Sequence, residues 1–139
     1  MRLRLAGLRA TLPRIKVLEL LRELRGHHSA DELVRVLQAR GERLSRASVF
    51  NVLHDLCSAQ LIMLTDAGPG RAIYEVADHR HHHFVCRGCG QVYDVDCVTE
   101  NHPCLAATGL GEGFEIEEAQ IIFRGYCPAC HQDKAEEVD

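Results

Sequence analysis

Long apolar runs are missing from this sequence. Nothing in it approaches the roughly 18 consecutive apolar residues needed to span a bilayer, so no transmembrane segment is expected. Residues 1–7 also lack the roughly 7–15-residue apolar stretch of a secretory signal, and no signal peptide is expected. There are no internal repeats and no low-complexity segments. His-Glu-x-x-His does not occur, which counts against a metal hydrolase built on the histidines, and no thioredoxin-like βαβ pattern surrounds the thiols. The seven cysteines do not make an even disulfide framework. Four of them have metal spacing instead, which points to a reducing, cytoplasmic setting. What remains is a chain of 139 residues, 46% hydrophobic, enough for one core or two small ones.

Charge is unevenly distributed. Residues 1–77 carry 12 basic and 8 acidic side chains, whereas residues 78–139 carry 4 and 12. A basic front half suggests a polyanionic partner; an acidic back half rich in Cys and His suggests metal ions. The strongest signal lies in that back half. Cys86 and Cys89 form one Cys-x-x-Cys pair, Cys127 and Cys130 another, with 37 residues between them. Two such pairs can point four soft thiolates at one centre, and tetrahedral ligation by four sulfurs suits structural zinc. The same four sulfurs would also hold iron in an electron carrier, or serve as redox dithiols in a thiol oxidoreductase. Colour separates the first of these, because an oxidised iron centre is red and a zinc centre colourless.

Periodicity organises the front half into helices. Ile15, Val17, Leu18, Leu20, Leu21 and Leu24 make a helical stripe entered after Thr11 and Pro13. Ser29 and Glu32 have the spacing of a capping box, so a second helix is predicted over 30–39. Ser45 caps a third, predicted over 46–59, with Val49, Val52, Leu53, Leu56 and Cys57 on one face. Its other face carries Ala47, Asn51, His54 and Ser58, with Arg46 and Phe50 beside them. Two β-prone runs follow, 61–65 and 72–76, separated by turn residues 66–70. Three helices and a hairpin, in that order, spell a winged helix-turn-helix whose third helix reads the major groove. The predicted fold class is therefore α+β, with a DNA-binding domain over 1–77, a hinge over 78–81 and a second domain over 82–139. In that second domain strands are predicted over 81–85, 91–96 and 115–124, only a short helix within 98–113, and a charged tail over 133–139. On the first of these strands His81 and His83 share a face and form a two-imidazole arm. His82 points the other way and, like His79, is expected at the surface.

With these parts placed, the chain resembles the Fur (ferric uptake regulator) superfamily. The resemblance rests on Gly7, Leu8, Arg9, Thr11 and Arg14; on His27, Ser29, Ala30 and Asp31; and on Ser45, Ser48, Val49, Phe50 and Asn51. It continues through His81, His83, Cys86, Cys89 and Gly90 to Gly125, Tyr126, Cys127 and Cys130. Asp96, Cys97, Pro103, Cys104 and Leu105, followed by residues 113–116, look most like the FurA branch linked to oxidative stress. The resemblance implies a metal-dependent repressor, not an enzyme, that binds operator DNA as a homodimer. It implies a winged helix followed by an α/β dimerisation domain with a structural zinc site of four cysteines. It also implies an exchangeable regulatory metal, Fe²⁺ or Mn²⁺, held by His27, Glu75, His81, His83 and Asp94, with Asp96 the runner-up to Asp94. By the same likeness Arg46, Phe50 and Asn51 approach bases, and Arg9, Arg14, Arg43 and Arg71 approach phosphates.

Departures from the family pattern are informative. Glu75 stands where zinc-specialised relatives tend to have Cys, and where the peroxide-sensing PerR branch has Asp. Asp94 matches that branch, so loss of DNA binding on peroxide oxidation and a peroxide-insensitive uptake regulator are both open. Ala119 replaces the His of a third metal site, which is expected to be absent. Ser48-Val49-Phe50 replaces the usual Thr-Val-Tyr, keeping an apolar contact for a thymine methyl and losing a hydroxyl. Leu12-Pro13 replaces Pro-Gln before Arg14. Cys57 is read as a small core residue, and Cys97 with Cys104 as a candidate redox pair.

Overall fold

The structure, a computed structural model, describes residues 2–77, 81–96, 109–116 and 119–137. It has two compact units, Met1–His79 and Arg80–Asp139. Residues 78–80 of the segment predicted as a hinge lie outside the described residues, and His81 already opens a strand. Cys97, Cys104 and most of the short helix predicted within 98–113 lie outside the described residues.

The first unit runs α1 (Arg2–Leu5), α2 (Leu12–Leu24), β1 (His28–Ser29), α3 (Ala30–Ala39), α4 (Arg46–Ser58), β2 (Ile62–Asp66) and β3 (Ala72–Val76). α2 begins after extended Thr11, with Pro13 in the first turn, where its missing N–H costs nothing. α3 starts as its cap predicts: the Ser29 hydroxyl accepts the Glu32 N–H at 3.1 Å. The reciprocal half of the capping box is diverted, because the Glu32 carboxylate sits 3.1 Å from His28 Nδ1. Ser45 caps α4 by accepting the Ser48 N–H at 3.1 Å. The wing turns on Asp66, whose Oδ1 accepts the Gly68 N–H at 2.9 Å, and Gly70 takes φ +70°, a conformation costly for other residues.

Two elements of this unit exceed the sequence-based expectation. α1 is a single turn that buries Leu3, too short to show a period. β1 is two residues that add a third strand, His28 opposite Tyr74 and Ser29 opposite Ile73, giving the order β1-β3-β2. The core beneath takes Val17, Leu18, Leu20 and Leu21 from α2, Leu33, Val34 and Leu37 from α3, and Val49, Val52, Leu53 and Leu56 from α4. Each fully buried Leu stabilises by about 1.5–3 kcal/mol relative to exposure, so this core holds α4 with its polar face outward. Cys57 packs against the core while only partly buried.

In the second unit β4 (His81–Cys86) is the middle strand of a three-stranded sheet, order β5-β4-β6. β5 (Val92–Asp96) pairs with it antiparallel, β6 (Ile122–Gly125) parallel, and α5 (Pro128–Glu137) follows. Three expectations need correcting. The strand predicted over 115–124 is confined to β6, because its pairing with β4 begins only at Ile122 opposite His83. The charged tail is helical through Glu137: Pro128 suits a first helical position, and Ala129, Gln132 and Lys134 are good helix formers. His82 is buried rather than at the surface, because β4 is a central strand with buried side chains on both faces. No helix among the described residues is long and apolar enough to cross a membrane.

Candidate metal centre and nucleic-acid interface

The tight turn after β4 and the entrance to α5 bring the two cysteine pairs together. The Sγ atoms of Cys86, Cys89, Cys127 and Cys130 all lie within 4.8 Å of one another, with Cys89 and Cys127 at 3.9 Å. Tetrahedral zinc with bonds of about 2.3 Å wants sulfurs roughly 3.8 Å apart, so the donor set fits the ion in both chemistry and spacing. The backbone is shaped for thiolates as well. The amides of Gly88, Cys127 and Cys89 donate to Cys86 Sγ at 3.3, 3.4 and 3.5 Å. Those amides, Cys127's foremost, pull the Cys86 thiol down to about 6 against the opposing effect of burial. Cys130 goes the other way, pushed up to about 12 by hydrogen bonding to the Cys127 and Cys86 sulfurs and then by burial. Four sulfurs this close do not all ionise unaided; a doubly charged cation removes that conflict. The turn leaves no spare room: a Cβ at Gly88 would stand 2.7 Å from Cys130 Sγ. Close approach, not a positive φ, is what glycine provides there.

The same β4 carries the second set of ligands. In the β4–β5 register His83 faces Asp94 and His81 faces Asp96. Asp94 Oδ1 lies 3.4 Å from His81 Nε2 and 3.8 Å from His83 Nε2, and the two rings meet edge-on with centroids 4.8 Å apart. Of the two carboxylates, then, Asp94 reaches both imidazoles. His83 is fully buried, and its Nδ1 lies 3.5 Å from the Gln120 side-chain amide. His82, pointing away, accepts the Ile121 N–H on Nδ1 at 3.0 Å and so pins β4 to the approach to β6. No sequence signal marks that role. In the first unit, His27 Nε2 and Glu75 Oε2 are 3.1 Å apart, Glu75 buried in the middle of the wing sheet. Imidazole with carboxylate suits Fe²⁺, Mn²⁺ or Zn²⁺ more than hard Ca²⁺ or Mg²⁺.

On α4, Arg46, Ala47, Phe50, Asn51, His54 and Ser58 all face solvent, as the helical period predicts. Phe50 is 40% exposed, and the Arg46 guanidinium lies over its ring, 5.4 Å from the centroid. Arg9 and Arg43 are exposed ahead of α2 and α4, and Arg71 is exposed at the end of the wing turn. Arg14 is engaged otherwise: it donates to the Arg9 carbonyl and to Asp55 of α4, both at 3.0 Å. A guanidinium so tied braces α2 and its approach against α4, which the sequence gives no way to see.

Known proteins resemble the chain along most of its length. A family model described as the ferric uptake regulator family matches residues 5–124. The transcriptional regulator FurA of Mycobacterium tuberculosis is 39% identical over 130 residues, 92% of this chain and 86% of that protein. The ferric uptake regulator of Pseudomonas aeruginosa, solved with manganese, superposes with a TM-score of 0.71 at 27% identity, covering 91% of this chain and 96% of its own. The Vibrio cholerae ferric uptake regulator gives 0.68 at 32% identity, over 91% and 97%.

Proposed function

As the chain belongs to the ferric uptake regulator family and is a metal-dependent transcriptional regulator, we propose that it represses transcription as a homodimer on operator DNA, switched on by Fe²⁺ or Mn²⁺. The regulatory ion is held by His27, Glu75, His81, His83 and Asp94. Cys86, Cys89, Cys127 and Cys130 hold zinc permanently. The observation that carries this reading is the convergence of Asp94 on both His81 and His83, at 3.4 and 3.8 Å, on one face of β4 and β5. Three ligands fall short of what Fe²⁺ or Mn²⁺ takes up, and the His27–Glu75 pair belongs to the unit that carries α4. An ion drawing on both sets ties metal occupancy to the placement of the DNA-reading helix. To raise DNA affinity 100-fold, that tie must supply about 2.7 kcal/mol of coupling.

α4 enters the major groove, with Arg46, Phe50 and Asn51 toward base edges and Arg9, Arg43 and Arg71 toward phosphates. Arg14 acts mainly as the brace described above, with its phosphate contact secondary. Manganese in the Pseudomonas relative and the absence of Cys at Glu75 both support a metal other than zinc at the regulatory site.

A gel-shift titration with Mn²⁺, Fe²⁺ and Zn²⁺, run before and after peroxide, tests the reading. Mn²⁺ or Fe²⁺ should raise operator affinity by about two orders of magnitude. Release of DNA by the Fe²⁺ form alone after peroxide would make the chain a peroxide sensor. Equal persistence of both forms would make it an iron or manganese uptake regulator. Equal operator affinity with and without metal would sink the switch.

A further inference from the structure

Asp31 and Arg46 are 15 positions apart, yet Arg46 Nη2 lies 3.1 Å from Asp31 Oδ1 and 3.5 Å from its Oδ2. Asp31 is in the first turn of α3, where the helix dipole favours a carboxylate; Arg46 is the first residue of α4. One helical turn on, the Phe50 ring lies against the same guanidinium at 5.4 Å. Both partners of the ion pair are about three-fifths exposed or more, at 66% and 59%. Pairs so exposed contribute little to folding; what this one can supply is a preferred direction for the guanidinium. An arginine at a helix start would otherwise sweep through many rotamers. Here Nη2 alone meets the carboxylate and an aromatic ring lies against the guanidinium face, with N–H donors left over for another acceptor.

We propose that Asp31 is a specificity-determining positioning residue. It holds Arg46 ready for bidentate contact with guanine O6 and N7, while Phe50 packs on the methyl of a neighbouring thymine, so that the three residues read a guanine–thymine step. This rests on the DNA-binding reading above. The ordering of Arg46 before contact lowers the entropy lost on reading the base.

The test uses full-length, Mn²⁺-loaded protein. A bound operator is selected from random duplexes, and affinities are then measured at fixed salt for that operator and for copies with each guanine replaced by adenine. The wild type should discriminate at one guanine by about tenfold or more, and Arg46→Ala should abolish that discrimination. Asp31→Ala should reduce it by about threefold or more, without weakening non-specific binding, since a negative charge has been removed. Asp31→Glu should restore it, and unchanged melting should show that the variants fold. If Asp31→Ala tightens binding to every duplex equally and keeps the guanine preference, Asp31 is only a helix-terminal charge and the proposal is wrong. If the wild type binds an operator but Arg46→Ala leaves every base preference intact, the proposal fails while the DNA-binding reading stands. If the wild type binds no duplex with any metal, that reading itself fails.

Discussion

Replacing Cys86 by Ser should unfold the second unit and leave the first folded. The two units are held together by different means. The first has a contiguous core in which Val17, Leu33, Val49, Leu53 and Leu56 are fully buried. In the second, the buried apolar side chains among the described residues are Val85, Cys86 and Cys127, two of them proposed zinc ligands. A unit of this size is marginal on burial alone. Structural zinc sites contribute apparent binding energies of about 10–16 kcal/mol near neutral pH in small domains, and that energy is folding energy. Cys86 is the ligand with most to lose, being 1% exposed and the acceptor of three backbone amides. A serine hydroxyl keeps some of those hydrogen bonds but is a poor zinc ligand at neutral pH. Even a tenth of the zinc contribution exceeds about 1 kcal/mol, enough to move a unit this small by several degrees. The assay is zinc stoichiometry by chelator competition together with limited proteolysis. The variant should lose zinc at chelator levels the wild type withstands, and cleavage should spread through residues 80–139 while 1–79 survives as a fragment. A zinc-free variant whose second unit keeps wild-type protease resistance would refute the reasoning, because burial would then suffice.

Other changes bear on the remaining links. Leu53→Ala, at a fully buried position of α4, should destabilise the first unit by about 2–5 kcal/mol, read in a denaturant titration of the wild type and variant. Ser45→Ala removes the acceptor for the Ser48 N–H and should cost about 1 kcal/mol, with α4 fraying first in hydrogen exchange. His83→Ala should abolish metal-activated operator binding while zinc content stays at wild-type level; Asp94→Ala should do the same, and Asp96→Ala far less, as gel shifts with Mn²⁺ would show. Arg40 beside Glu23 holds that carboxyl below its ordinary range, chiefly through their hydrogen bond. The sign follows from linkage: a depressed folded value stabilises above the unfolded value and is lost as pH falls through the folded one. The small gap in melting temperature between wild type and Glu23→Gln should therefore close in acid, and in high salt as well.

How much of this the sequence discloses depends on how local the cause is. α3 was legible because Ser29, Glu32 and the apolar stripe lie within one stretch, and its boundaries agree with the structure at 30–39. The four-cysteine cluster was legible because each Cys-x-x-Cys pair is itself a local geometry, needing only that the two pairs meet. Asp94 was separable from Asp96 only once the β4–β5 register was known, since both lie on one strand face. His82 misled for a related reason. Alternation assigns a residue to a face, but it cannot say whether that face is covered, and β4 lies between β5 and β6. The Arg14–Asp55 brace and the Asp31–Arg46 pair join residues from different helices, 41 and 15 positions apart. Composition treats all these arginines alike, as basic residues awaiting phosphate. Only the packing of α2 and α3 beside α4 decides which carboxylate each guanidinium meets, Asp55 for Arg14 and Asp31 for Arg46.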